Sequence, residues 1–172
     1  NSFLISNDGS TAKIDDVRDV SFAPNSKLVA MSYDNNIFLY NLENKQTTNL
    51  CKQEGDADQN MGYDTNPTFS PDGKYIAWQS MERDGYESDR NRLCIMDLKS
   101  GEKKYVTESF ESGVDAYCWA NDNHTLYFTG VWHATSMIYQ TNLNGEVKKL
   151  TEGDYDYASV ALLGEQIITK RH

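Results

Sequence analysis

The sequence predicts an all-β fold: a partial β-propeller of three full four-stranded blades with a half blade at each end. Three observations carry that expectation. A two-part pattern recurs three times at a spacing of 47 and then 50 residues, measured from Phe22 to Phe69 to Trp119. Its apolar runs are short, as strands are, and turn residues punctuate every junction between them. Four short strands per unit at a period of ~40–50 residues is the signature of a propeller blade rather than of a β-sandwich with chance similarity.

The first half of the pattern is an aromatic, a small residue, a polar turn and an apolar run. It extends from Val20 to Ser32, from Pro67 to Ser80 and from Tyr117 to Thr129, with a degenerate fourth copy in Val160-Ala161-Leu162, Gly164 and Ile167-Ile168-Thr169. The second half is an apolar run that ends in Asn or Asp followed directly by Leu: Ile37 to Leu42, Leu93 to Leu98 and Ile138 to Leu143. Asx side chains bond the backbone of a following turn, which suits them to these ends. A closing strand follows near Leu50, Val106-Thr107 and Leu150-Thr151. The N-terminus carries the second half alone, in Phe3-Leu4-Ile5, Asn7-Asp8-Gly9 and Ala12-Lys13-Ile14. The expected segmentation is a half blade over 1–15, blades over 16–66, 67–114 and 115–156, and a half blade over 157–172.

The turn Ser70-Pro71-Asp72-Gly73-Lys74 fits a type I turn with Gly73 in the left-handed bulge position. Ser26 and Asn123 take that place in the other copies. Asn tolerates the conformation and Ser does so less well, so the first turn is expected to differ. Half blades leave unpaired edges, which invite further pairing. They are expected in a piece of a larger ring; closure into one small four-bladed ring or head-to-tail self-association of two copies into an eight-bladed ring are the alternatives.

Composition narrows the function classes. The 172 residues suit one domain or part of one, and the net charge of −10 argues against nucleic acid and anionic lipid as partners. No apolar run approaches the ~20 residues of a membrane span, and no leader is read, so no membrane insertion and a mature or trimmed chain are expected. Aromatic content of 12%, with 11 Tyr, is too high for a disordered chain. Cys51, Cys94 and Cys118 are an odd number and form no visible disulfide framework.

With strands a to d counted outward from the axis, the a–b and c–d turns are all short. The long loops, 51–66, 81–91, 108–114, 130–136 and 152–156, are all b–c or d–a and share one face. Length and polarity concentrated in loops on a rigid scaffold mark a working face. It carries Asp56, Asp58, Asp64, Glu82, Asp84, Glu87, Asp89, Asp154 and Asp156 with Tyr63, Tyr86, Trp132, Tyr155 and Tyr157. An acidic, aromatic rim suits a cationic ligand such as a peptide amine; the plainer reading is a solvated surface, or one that docks another domain. The dense run from Glu82 to Arg92 reads either as self-paired loop charges or as a loop that meets substrate or a partner domain.

Catalytic chemistry is not found. There is no G-x-S-x-G elbow, and His124, His133 and His172 are scattered, the first two on opposite faces. No zinc spacing or nucleotide-binding glycine pattern is present. Asp56-Ala57-Asp58-Gln59-Asn60 begins like a calcium loop, but Gly62 is one position late and Pro67 stands where a bidentate Glu belongs. No catalytic residue, metal ligand or cofactor is therefore assigned.

Phe69-Ser70-Pro71-Asp72-Gly73-Lys74-Tyr75-Ile76-Ala77-Trp78 resembles the TolB-type propeller repeat. Its continuation from Met81 to Leu93 resembles the propeller domain of the prolyl oligopeptidase family, in its acylaminoacyl-peptidase and dipeptidyl-peptidase V branch. The resemblance implies a seven- or eight-bladed propeller capping a C-terminal α/β-hydrolase domain that holds a Ser-Asp-His triad. In that family the propeller filters peptide substrates by size and supplies acidic groups to the peptide amine, and members are often periplasmic or secreted. This chain would be about half the propeller and none of the hydrolase. Glu82 and Glu87 are the first residues the resemblance offers as amine or partner contacts, followed by Asp84, Tyr86 and Trp132. The expected function is a non-catalytic segment of a serine exopeptidase that gates substrate access and docks on the hydrolase domain; the alternative is a TolB-like binding module for a protein partner.

Overall fold

The computed structural model describes residues 17–51, 62–83, 85 and 89–172, so the half blade expected over 1–15 lies outside the described residues. The first sheet holds β1 (Arg18–Phe22), β2 (Leu28–Tyr33), β3 (Asn36–Asn41) and β4 (Thr47–Asn49). The second holds β5 (Tyr63–Phe69), β6 (Tyr75–Met81), β7 (Arg92–Asp97) and β8 (Lys103–Tyr105). The third holds β9 (Val114–Trp119), β10 (Thr125–Trp132), β11 (Thr135–Asn142) and β12 (Lys148–Lys149). A two-stranded sheet of β13 (Ala161–Leu163) and β14 (Gln166–Ile168) ends the chain. Each sheet is an antiparallel meander in chain order, and no helix occurs among the described residues. The all-β, partial-propeller class read from the sequence holds.

Strand alternation explains how the sheets stack. Successive side chains of a strand point to opposite faces, so a strand covered on both faces must be apolar throughout. In β6, Ile76 and Trp78 join Ala23, Ala30, Ile37 and Leu50 in a core between the first and second sheets. Ala77, between them in sequence, points the other way and joins Leu126, Phe128 and Tyr139 in a core shared with the third sheet. In β7, Cys94 and Met96 face the first sheet, and Leu93 and Ile95 face the third.

Polar links also cross between sheets. The Asp19 carboxylate accepts from the Ser32 hydroxyl at 2.8 Å and from the Asn66 backbone N–H of the next sheet at 3.2 Å. Gln79 Nε2 donates to the carbonyl of Val114 at 2.7 Å, and the Trp119 indole donates to that of Thr68 at 3.2 Å. The Gln79 bond satisfies a buried amide that would otherwise lose its water partner.

One turn expectation is corrected. Ser26 adopts the same left-handed conformation (φ 57°) as Gly73 (71°) and Asn123 (64°), so the first turn does not depart from the others. The preceding Asx compensates: Asn25 accepts from Lys27 N–H at 3.0 Å, as Asp72 does from Lys74 and Asp122 from His124. The c–d turns are uniform as well. Asn41, Asp97 and Asn142 each accept two backbone N–H groups of the turn that follows.

Candidate functional site

The b–c and d–a connections meet on one face of the stacked sheets and leave clefts between neighbouring blades. The cleft between the first and second sheets holds a cavity of about 150 Å³ whose lining includes Asp64, Glu82, Arg92, Lys103 and Tyr105. A neighbouring cavity of about 190 Å³, nearer the innermost strands, is lined by Arg18, Tyr33, Asp34, Tyr63 and again Asp64. Asp64 is 5% exposed and accepts from the Trp78 indole at 2.9 Å. It therefore does not belong to an open acidic rim, as its place beside a long loop suggests. Lys103 Nζ reaches the Leu50 carbonyl at 3.3 Å, so the cleft contains cations as well as carboxylates.

The described part of the charged run after β6 is paired partly within itself and partly with Glu108 of a later connection. Arg83 grips Asp89 with two hydrogen bonds, of 2.8 and 2.6 Å, which hold the Asp89 carboxyl below the usual carboxylate range. Arg90 donates to the Glu108 carbonyl at 2.9 Å and to the Phe110 carbonyl, pinning the connection to the third sheet. Arg92 pairs with Glu108 at 3.1 Å, and its guanidinium stacks 4.2 Å above the Tyr105 ring. Asp156, near the chain end, is engaged too: it accepts from the Ser136 N–H at 2.8 Å.

Glu82 is exposed at the edge of the first cleft. Trp132, 47% exposed, lines a different groove, between the connection 109–112 and the third sheet. The two are not brought together. Asp84, Tyr86 and Glu87 lie outside the described residues. What the sequence reading missed is the lining that long-range pairing supplies: Arg92, Lys103 and Tyr105 in one cleft, Phe110, Glu111 and Tyr139 in the other. No local motif marks these residues, because each cleft is assembled from several connections.

The three cysteines are free thiols. Burial pushes Cys51 well up, and the nearby Asp64 carboxylate adds to the shift; burial pushes Cys94 up to about 12 and Cys118 up to about 11. Their thiolates are scarce at neutral pH, so they are packing groups rather than nucleophiles. No group of three or more His, Cys, Asp or Glu placed to hold a metal occurs among the described residues.

Radially repeated antiparallel sheets with elaborated clefts on one face define a propeller segment of the type found in TolB and in peptidases. In structure, the chain is similar to TolB from Acinetobacter baumannii (TM-score 0.61, 20% identity, 95% of this chain and 41% of that one). It is also similar to dipeptidyl peptidase 4 of Porphyromonas gingivalis (TM-score 0.66, 13% identity, 87% of this chain and 27% of that one). In sequence, it is homologous to dipeptidyl-peptidase 5 of Porphyromonas gingivalis, with 37% identity over 169 residues, 91% of this chain. The Porphyromonas endodontalis protein of the same name is 38% identical over the same span. The chain spans about a quarter of the length of these relatives, 24% in each case. No family model matches it. The resemblance to the prolyl oligopeptidase family is thus borne out, and the chain is a peptidase-related propeller segment.

Proposed function

We propose that this chain is part of the propeller of a serine peptidase of the dipeptidyl and acylaminoacyl type, where it gates access to an active site carried by an α/β-hydrolase domain. The observation that carries the reading is the 37% identity to dipeptidyl-peptidase 5 along 91% of the chain, joined to its 24% share of that protein's length. On this reading the segment acts without covalent chemistry. Stacked blades exclude large substrates sterically, and the net charge of −10 favours a protonated peptide amine over an anionic peptide. Glu82 is the described carboxylate to test as an amine or partner contact, and Glu87, Asp84, Tyr86 and Trp132 belong to the same proposal. A periplasmic or secreted location is part of it.

Neighbouring blades would pack on the apolar residues that the end sheets leave open, chiefly Phe22 at 67% and Leu163 at 66% exposure. Those blades would come from the parent propeller or from a second copy joined head to tail. The TolB likeness, at 20% identity, concerns the fold and does not favour the alternative of a binding module for a protein partner.

The test uses the chain within its longer parent. Glu82→Gln is expected to raise KM for free-amine dipeptidyl substrates several-fold and to leave N-acylated ones unchanged. Equal effects on both, or none, would remove Glu82 from the proposal. Gating is tested by substrate length: a blade-loosening change such as Gly130→Ala is expected to raise cleavage of long peptides relative to short ones, and an unchanged ratio counts against it. The isolated chain is expected to turn over no dipeptidyl chromogenic substrate.

A further inference from the structure

We infer that the groove between the connection 109–112 and the β10–β11 hairpin is a binding site for an arginine side chain of an extended polypeptide. The groove has a volume of about 600 Å³, within the ~300–1,000 Å³ usual for ligand sites. Phe110, Val131, Trp132, Tyr139 and Val147 form its apolar walls, and Glu111 and His133 stand at its edge. Val131 and Trp132 remain 43% and 47% exposed, so these walls are open to a ligand.

The hairpin that raises Trp132 is unusual in its turn. His133 (φ 48°) and Ala134 (φ 65°) both sit in the left-handed region, where Asn-Gly would be relaxed. The corresponding turn of the first sheet uses Asp34 and Asn35, residues that tolerate it. Backbone strain of this kind collects where a side chain must be presented. The result places the Trp132 and His133 rings against each other, 4.7 Å between centroids, at the mouth of the groove.

Two further observations select the ligand. The Tyr139 hydroxyl, in a residue 4% exposed, is buried and makes no hydrogen bond among the described residues, so a donor brought by a ligand would satisfy it. Glu111 enters no ion pair among the described residues. An unpaired carboxylate beside aromatic faces calls for a cation with an apolar body. The molecule contains its own version of such a site. Arg92 stacks 4.2 Å over the Tyr105 ring while pairing with Glu108 at 3.1 Å, and Arg171 lies 4.1 Å over Tyr155. A planar guanidinium meets both demands at once, stacking on a ring and donating in a fork to a carboxylate, which an ammonium does less well. Lys149, which lies 5.8 Å from the Trp132 ring centre, is paired with Glu152 at 2.9 Å, so its charge does not close the groove to a cation.

The inference shares Trp132 with the peptidase reading, and its test is binding by this chain alone rather than turnover, so either can fail without the other. The test titrates the 172-residue chain with N-acetyl-Ala-Arg-Ala-amide and with its neutral citrulline counterpart, read by calorimetry and by the Trp132 indole NMR signal. The arginine peptide is expected to bind saturably, and the citrulline peptide at least about fivefold more weakly. Glu111→Gln and Trp132→Ala, both at exposed positions, are each expected to weaken arginine binding to a similar extent, and the distant Glu165→Gln to leave it unchanged. Equal binding of the two peptides, insensitivity to both groove variants, or no saturable binding at about 10 mM peptide overturns the inference.

Discussion

The second sheet and the first are built from the same repeat and bury it differently. Phe69 in the second sheet is 8% exposed, as is Trp119 in the third, whereas Phe22, in register with both, is 67% exposed. The local sequence is equivalent; the neighbour is not. Phe69 has the first sheet against it, and no sheet among the described residues covers the corresponding face at Phe22. Burial in this architecture is therefore a property of adjacent pairs of sheets, as in other repeat proteins whose stability sums over neighbours.

The sharpest way to break that comparison is to truncate one residue in each sheet. Trp78→Ala removes a side chain that is 1% exposed and strips the buried Asp64 of its indole donor. A loss of about 3–5 kcal/mol is expected in urea denaturation. Phe22→Ala should cost less than about 1 kcal/mol. A cost at Phe22 near that at Trp78 would mean that its face is covered in solution, and sedimentation would then decide whether a second copy covers it. Gly130→Ala comes next. A Cβ there would lie 2.7 Å from the Phe110 ring and 2.9 Å from the Gly113 carbonyl, so the connection pinned by Arg90 must shift, at about 1–3 kcal/mol. Gln79→Ala deletes the bonds to the Val114 and Asp115 carbonyls that tie the second sheet to the third, and about 1–2 kcal/mol is expected.

The smallest effect sharpens the comparison through pH. The second sheet has Asp97 where its neighbours have Asn41 and Asn142. Backbone N–H groups of Ser100 and Lys99 hold the Asp97 carboxyl below its usual range. A carboxyl whose pKa is lower in the folded than in the unfolded chain contributes stability above the usual carboxylate pKa. It loses that contribution as pH falls through the depressed value. Asp97→Asn keeps the turn acceptor and removes the titration. Its midpoint should match the parent protein at low pH, below both values, and depart from it slightly above ~pH 4.

Much of the fold was legible because its signals are local. The turn at Pro71-Asp72-Gly73 and the Asx residues at 41, 97 and 142 mark the hairpins within a few positions of sequence. The site was legible only in part. Trp132 reads in sequence as part of a long loop over 130–136 but ends β10 beside a two-residue turn, because the β10–β11 ladder runs on to Trp132 and Thr135; Glu111, which completes its groove, sits on the connection from another sheet. Asp64 read as a rim acid and is buried, because its cover includes Trp78, fourteen positions on and on the adjoining strand. The run from Glu82 to Arg92 held two readings in sequence. Among its described members Arg83 and Asp89 pair with each other, whereas Arg90 and Arg92 pair with Glu108, which arrives from beyond β8.

Amide hydrogen exchange on the intact chain, resolved strand by strand, tests most directly whether stability comes from being sandwiched between sheets. β6 and β7, covered on both faces, should exchange slowest, and β13 and β14, whose Leu163 and Ile168 stay open to water, should exchange fastest. Protection at β13 and β14 equal to that at β6 and β7 would contradict the account.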